Sequence, residues 1–387
     1  MSPRLEVPRL ATFESAAMQT LEGLWAATHQ TACPAEVRSL LSSVILPWGG
    51  APIPSAPAWP SDIGDDHSPY EFSLAMTRSA AELRFLVEAQ AASGDFAGTR
   101  DASLELNERL AQRGADFRRF NVLRDIFLPD VRQARFALWH AVALAPGRLR
   151  VKVYLNPQIA GTGDSIRLVR EALDRLEMRT CWSTVASAIP RRSLRGHGLR
   201  YFAIDLEAST GARVKVYLYP RDVTARVLEG VAALRRGYVQ GEVTEFCQAM
   251  TGSSGPYHAH PVCVYIAFSG KDPRPAAVTV QVPIRYYVSN DRVAQGRIRS
   301  YLQHHGLDAA AYHRALQAVA RRPLSAKSGL HTYVSLRTGL AAPRVTVYFG
   351  AELYDGQGPA SGTRRVRASA GEFASRSHEH SGMRSRR

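Results

Sequence analysis

The chain has 387 residues with a formal net charge of +15, and 45% of it is hydrophobic against 21% charged. That balance suits a folded protein with a large core and excludes a wholly disordered chain; no apolar run reaches the roughly eighteen residues of a transmembrane helix. Cys33, Cys181, Cys247 and Cys263 lack CxxC spacing and read as reduced thiols of a cytoplasmic protein, and Met1-Ser-Pro-Arg-Leu-Glu-Val does not open a signal peptide.

In chain order, amphipathic helices are expected over residues 13–28 and 102–113, with strand-like runs at 70–74 and 83–85 between them. Strand-like runs follow at 136–142 and 151–154, then a helix over 164–178 with an Asp or Ser cap. The same order continues: strands at 201–206 and 214–217, a helix at 223–233, and strands at 262–268 and 278–281. Helices at 293–304 and 309–320 then precede strands at 332–336 and 345–348. Turn chemistry separates the paired runs, as in Ala145-Pro-Gly147 and Ser209-Thr-Gly211. The tail from Asp355 to Arg387 carries seven arginines against three acids without apolar periodicity and is expected to be disordered.

A repeat underlies this order. Positions 84, 152, 215, 279 and 346 centre the second strand of each pair and are 68, 63, 64 and 67 residues apart. The unit is helix-helix-strand-strand, taken five times. Ten antiparallel strands with helices between them predict an α+β fold: a closed ten-stranded barrel with a solvent-filled lumen, ringed by helices. Residues 1–354 are expected to form that single domain.

The strand faces carry the chemistry. In Arg150-Val-Lys-Val-Tyr-Leu-Asn-Pro157 and Arg213-Val-Lys-Val-Tyr217, cations and a phenol alternate with valine or leucine, and Pro343-Arg-Val-Thr-Val-Tyr-Phe349 is a third version. With the apolar faces packed on helices, Arg84, Lys152, Tyr154, Arg213, Lys215 and Tyr217 would line the lumen. Cations suit a diphosphate, and phenol rings shelter a carbocation. Together they describe ionisation of an allylic diphosphate. The alternative is a nucleic-acid-binding protein that turns the same basic strands outward.

The strings Ser68-Pro-Tyr-Glu-Phe-Ser-Leu74, Arg150-Val-Lys-Val-Tyr-Leu-Asn-Pro157, Arg213-Val-Lys-Val-Tyr217 and Gln281-Val-Pro-Ile-Arg-Tyr-Tyr287 resemble the bacterial dimethylallyltryptophan synthase family of aromatic prenyltransferases, over roughly residues 60 to 350. The resemblance implies transfer of a dimethylallyl group from dimethylallyl diphosphate to the indole of tryptophan, with carbon 6 or 5 favoured. Other aromatic acceptors are tyrosine, an indole-containing cyclic dipeptide or a phenolic compound. It implies that Glu71 accepts the indole N–H and that Arg84, Lys152, Arg213 and Lys215 clamp the diphosphate, joined by Arg337, which stands where many members have Tyr. Tyr154, Tyr217 and Tyr333 would shield the cation, and Gln281 and Thr279 fall where many members have Tyr and Gln. Arg200 would receive the amino-acid carboxylate, beside Asp62 and Ile63 on the acceptor side.

The base that removes the ring proton rests on parity. A two-residue turn at Pro146-Gly147 makes opposite residues sum to 293 and faces Trp139 inward; a three-residue turn puts His140 beside Lys152. His140 is taken as the candidate base. No cofactor is expected: there is no DDxxD, His258-Ala-His260 with Cys263 lacks a fourth ligand, and the cations stand in for Mg²⁺. The expected partners are the two small-molecule substrates, with no nucleic acid and no membrane, in a monomer or weak homodimer.

Overall fold

Valines decide which way the strands face. Val151, Val153, Val214, Val216, Val278, Val280, Val345 and Val347 are at most 3% exposed and join the strands to the helices in one core. Each such burial is worth about 1.5–3 kcal/mol, so the polar residues between them are forced onto the opposite face. The structure, a computed structural model, describes residues 12–189, 198–339 and 343–354. The tail expected over 355–387 lies outside the described residues.

The elements follow the repeat. Helices α1 (Phe13–His29) and α2 (Ala35–Ile45) precede strands β1 (Tyr70–Met76) and β2 (Ala81–Val87). Helices α3 (Phe96–Gln112) and α4 (Arg118–Phe127) precede β3 (Leu138–Leu144) and β4 (Arg150–Leu155). Then come α5 (Ser165–Arg175) and α6 (Cys181–Ala188) with β5 (Leu199–Asp205) and β6 (Arg213–Leu218). The fourth unit is α7 (Ala225–Ala232), α8 (Glu242–Thr251), β7 (Cys263–Ser269) and β8 (Ala277–Val282). The last is α9 (Asp291–His304), α10 (Ala309–Val319), β9 (His331–Arg337) and β10 (Arg344–Gly350).

Local chemistry sets the helix starts. Thr12 and Ser15 form a reciprocal capping box on α1, and Asp95, Asn290 and Asp308 accept the first free amides of α3, α9 and α10. Helices α2, α4, α6 and α8, which the sequence pattern does not single out, are short and are the second member of the pair in the first four repeats.

Every strand pairs antiparallel with its neighbours in sequence, and β1 pairs with β10 to close the barrel. The hairpin turns, at 77–80, 145–149, 206–212 and 270–276, gather at one end, so all helix pairs leave from the other. The repeat positions then stack in three inward layers. Two residues before each centre come Glu82, Arg150, Arg213, Ala277 and Arg344; at the centre, Arg84, Lys152, Lys215, Thr279 and Thr346; two after, Leu86, Tyr154, Tyr217, Gln281 and Tyr348. The basic faces point into the lumen, which overturns the outward, nucleic-acid-binding alternative.

Two bulges break the alternation at the helix-bearing end. Leu199 pairs with Leu218 and Tyr201 with Tyr217, leaving Arg200 as an extra residue on β5. On β9, Thr332 and Tyr333 together face Tyr348, since Val334 pairs with Val347 and His331 with Phe349. A bulge re-aims side chains; each of these delivers an additional polar group to the site.

Candidate active site

The turn end of the lumen opens on a cavity of about 320 Å³ lined by Arg84, Arg150, Lys152, Arg213, Lys215, Arg337 and Arg344. All five expected clamp residues are among these seven, and Thr279 lines the same space. Arg150 and Arg344 were missed, although both stand two residues before a repeat centre, the place Arg213 occupies.

Two acids, also unforeseen, organise the cations. Glu82 accepts from Arg84 at 2.6 Å, from Arg150 at 2.5 Å and from Arg344 at 3.1 Å. Burial works against its charge, but these arginines prevail and hold the carboxyl down to about 2. Asp205 binds Arg213 at 2.7 Å and Lys215 at 3.6 Å and is likewise held ionised. The compensation is incomplete. Burial, with Arg213, Arg84 and Arg337 nearby, depresses Lys215 to about 7 despite Asp205. Lys152 lies well below the usual lysine range, chiefly by burial and then by Lys215 and Arg84. The Nε of Arg337 is buried without a partner. Such a cavity favours a polyanion that restores both charge and hydrogen bonds.

One layer deeper the lining becomes aromatic. Tyr217 stacks on Tyr265 with centroids 4.4 Å apart, and Tyr154 lies 5.6 Å from Tyr217 and 6.4 Å from Trp139. Tyr201 stands edge-on to Tyr217 at 5.8 Å, and Phe136 stacks on Trp139 at 4.4 Å. Lys152 joins the two zones: its Nζ donates to the Tyr154 hydroxyl at 2.6 Å and sits 4.4 Å from that ring's centroid. Gln281 is opposite Cys263 and Ser335 on the neighbouring strands, and Tyr333 lies 6.3 Å from Tyr348.

At the helix-bearing end Glu71, 4% exposed, faces the lumen between Leu86 and Gly350. The bulged Thr332 donates to its Oε2 at 3.0 Å. Burial pushes Glu71 up to about 8; the Thr332 bond and the charge of Arg285 oppose this. Arg285 itself lies over the rings of Tyr286 and Tyr333, at 5.0 and 5.4 Å, and binds Asp65 at 2.5 Å. It stands inside a string quoted for the resemblance but was not singled out. Arg200 reaches the rings of Tyr219 and Tyr201, at 5.2 and 5.9 Å. Asp62 is paired with Arg135 at 2.6 Å, and Ile63 packs with Phe136 and Trp139. The acceptor-side residues therefore gather at this mouth.

His140 does not. The register pairs Trp139 with Tyr154, His140 with Val153 and Ala141 with Lys152, the two-residue-turn parity. Trp139 faces inward, while His140 is fully buried outside the lumen, its Nε2 2.7 Å from Oδ1 of Asn107 on α3. Burial and the nearby Arg109 lower it to about 3. The candidate base is corrected to a core histidine.

The arrangement resembles known enzymes closely. The model of the family described as tryptophan dimethylallyltransferase matches residues 26–315. A 6-dimethylallyltryptophan synthase from Micromonospora olivasterospora, solved in complex with DMASPP and Trp, is 33% identical with a TM-score of 0.83, covering 90% of this chain and 99% of that one. The 5-dimethylallyltryptophan synthase from Streptomyces coelicolor is 32% identical with a TM-score of 0.81, covering 89% of this chain and 99% of that one. The prenyltransferase PriB, solved as a ternary complex with L-tryptophan and dimethylallyl thiolodiphosphate, is 30% identical with a TM-score of 0.81, covering 91% and 99%.

Proposed function

The chain belongs to the tryptophan dimethylallyltransferase family, and from that membership we propose that it transfers the dimethylallyl group of dimethylallyl diphosphate to the indole of L-tryptophan. The observation that carries the reading is a single lumen that passes from cations, through tyrosine rings, to a buried carboxylate. The diphosphate takes the cavity of Arg84, Lys152, Arg213, Lys215 and Arg337, with Arg150 and Arg344 at its rim. Negative charge grows on the leaving group as the C–O bond ionises, so cations held in place by Glu82 and Asp205 stabilise the transition state more than the ground state. The cation left behind lies among Tyr154, Tyr217, Tyr265 and Tyr333, with Gln281 at the edge. The indole N–H donates to Glu71, which raises the ring's electron density, and Arg200 receives the amino-acid carboxylate beside Asp62 and Ile63.

Attack from carbon 6 or 5 is favoured, in keeping with the relatives named above. The preformed cation cavity supports a reaction without Mg²⁺, since it offers the leaving group the charge that a metal would. The repeat supports treating residues 1–354 as one catalytic unit, and the proposal takes it as a cytoplasmic monomer or weak homodimer. The test is incubation with tryptophan and dimethylallyl diphosphate in EDTA, followed by mass spectrometry and NMR of the product. A tryptophan carrying one dimethylallyl group on carbon 6 or 5 is expected. Absence of product would refute the acceptor, and activity only after Mg²⁺ addition would refute the metal-free mechanism.

A further inference from the structure

Substitution on the ring ends with loss of a proton, and the structure has taken His140 out of the lumen. In its place stands a contact between the cationic and aromatic zones. The Tyr154 ring packs with Trp139, Tyr201 and Tyr217 in the aromatic zone, yet its hydroxyl oxygen accepts from the Lys152 Nζ at 2.6 Å and from the Tyr217 hydroxyl at 3.4 Å. Lys152 in turn lines the cation cavity. The acid across the ladder from it, Asp205, is engaged by Arg213 and Lys215. Burial, and then the like charges of Lys215, Arg84 and Arg213 close by, ease release of a proton from this ammonium.

Resting on the transfer reaction proposed above, we propose that Tyr154 and Lys152 form a relay that carries the ring proton to the departing diphosphate. Lys152 gives one N–H proton to a diphosphate oxygen, and the lone pair this exposes takes the O–H proton of Tyr154. The Tyr154 oxygen takes the proton of the prenylated ring carbon, whose C–H bonding pair restores aromaticity. Both residues end in the state in which they began, and the diphosphate leaves one proton heavier. A cationic ring intermediate is a strong acid, so a continuous path matters more here than a strong base.

Two variants cut the path at different points. Tyr154→Phe keeps the ring and removes the hydroxyl; Lys152→Arg keeps the charge but installs a guanidinium that does not give up its proton. Each is assayed with ordinary and with ring-deuterated tryptophan, scoring prenylated tryptophan against dimethylallyl alcohol, the product of water capture when the intermediate reverts. In the wild type the ratio should be the same for both isotopic forms. In the two relay variants deuterium should shift it toward the alcohol. Ratios indifferent to deuterium in both variants would overturn the relay, as would a folded Tyr154→Phe enzyme that ionises no donor. Failure of the wild type to prenylate tryptophan would be seen separately and would remove the reading on which the relay rests.

Discussion

The two ends of the lumen are built on opposite electrostatic terms. At the turn end, seven cations crowd a cavity held by Glu82 and Asp205, and the lysines are pushed toward losing their charge. At the helix-bearing end a buried carboxyl, Glu71, is pushed toward gaining a proton, with one threonine bond and Arg285 to oppose it. Both ends hold groups that the empty protein solvates poorly. In the proposed reaction each is completed by a different substrate: the first by an anion, the second by a neutral N–H donor.

The largest effect expected from breaking this comparison is at the clamp. Lys215→Ala removes a cation from the cavity proposed to hold the diphosphate while leaving the outward valines of β6 packed, so kcat should fall by about 10²–10³-fold with circular dichroism unchanged. Normal kinetics in that variant would refute its role.

Next comes pH, which should act on the two ends in opposite directions. The free clamp sheds charge as pH rises through the Lys215 value of about 7, whereas bound diphosphate favours charged lysine. Affinity for dimethylallyl S-thiolodiphosphate, measured by calorimetry, should therefore fall above pH 7, by up to about tenfold per pH unit for each proton taken up. Glu71 runs the other way. At saturating donor, kcat/KM for tryptophan should rise as pH climbs through about 8 and the carboxyl ionises, and Glu71→Gln should flatten that rise. Parallel slopes for the two substrates would erase the distinction between the ends.

The smallest catalytic effect sharpens the boundary of the site. His140→Gln disturbs the bond to Asn107 inside the core and should cost about 1–3 kcal/mol of stability, read as a lower Tm, with turnover unchanged. A loss of turnover without a loss of stability would return His140 to the reaction.

Much of this molecule can be read from spacing. The intervals between positions 84, 152, 215, 279 and 346 foretell five hairpins, and the valines beside them foretell which face is buried. The shared inward face of Lys152 and Tyr154 follows from a period of two. What was hidden turns on single-residue events. His140 and Trp139 exchange faces with one residue of turn length, and Thr332 reaches Glu71 through a bulge that no alternation signals. Nothing in the sequence sets Glu82 and Asp205 apart from other strand acids; pairing of the first two hairpins brings Arg150 to Glu82, and closure of the barrel brings Arg344. Arg200 was found through resemblance, and its bulge explains why alternation alone would have placed it on the wrong face.

The direction in which the chain enters and leaves the barrel has an evolutionary consequence. Hairpin turns close the end lined by cations, where a change in length would disturb the register of those residues. All described helix pairs and the segment from Trp48 to Pro69 depart from the other end, so their connections can lengthen or shorten without shifting the strand register. In the proposed reaction the donor cations sit on strands near the turns, whereas the acceptor contacts combine the strand residues Glu71 and Arg200 with Asp62 and Ile63 from that segment. On that reading, a lineage built on this plan could vary the acceptor contacts carried by the 48–69 segment while the strand residues that meet the leaving group stay in register.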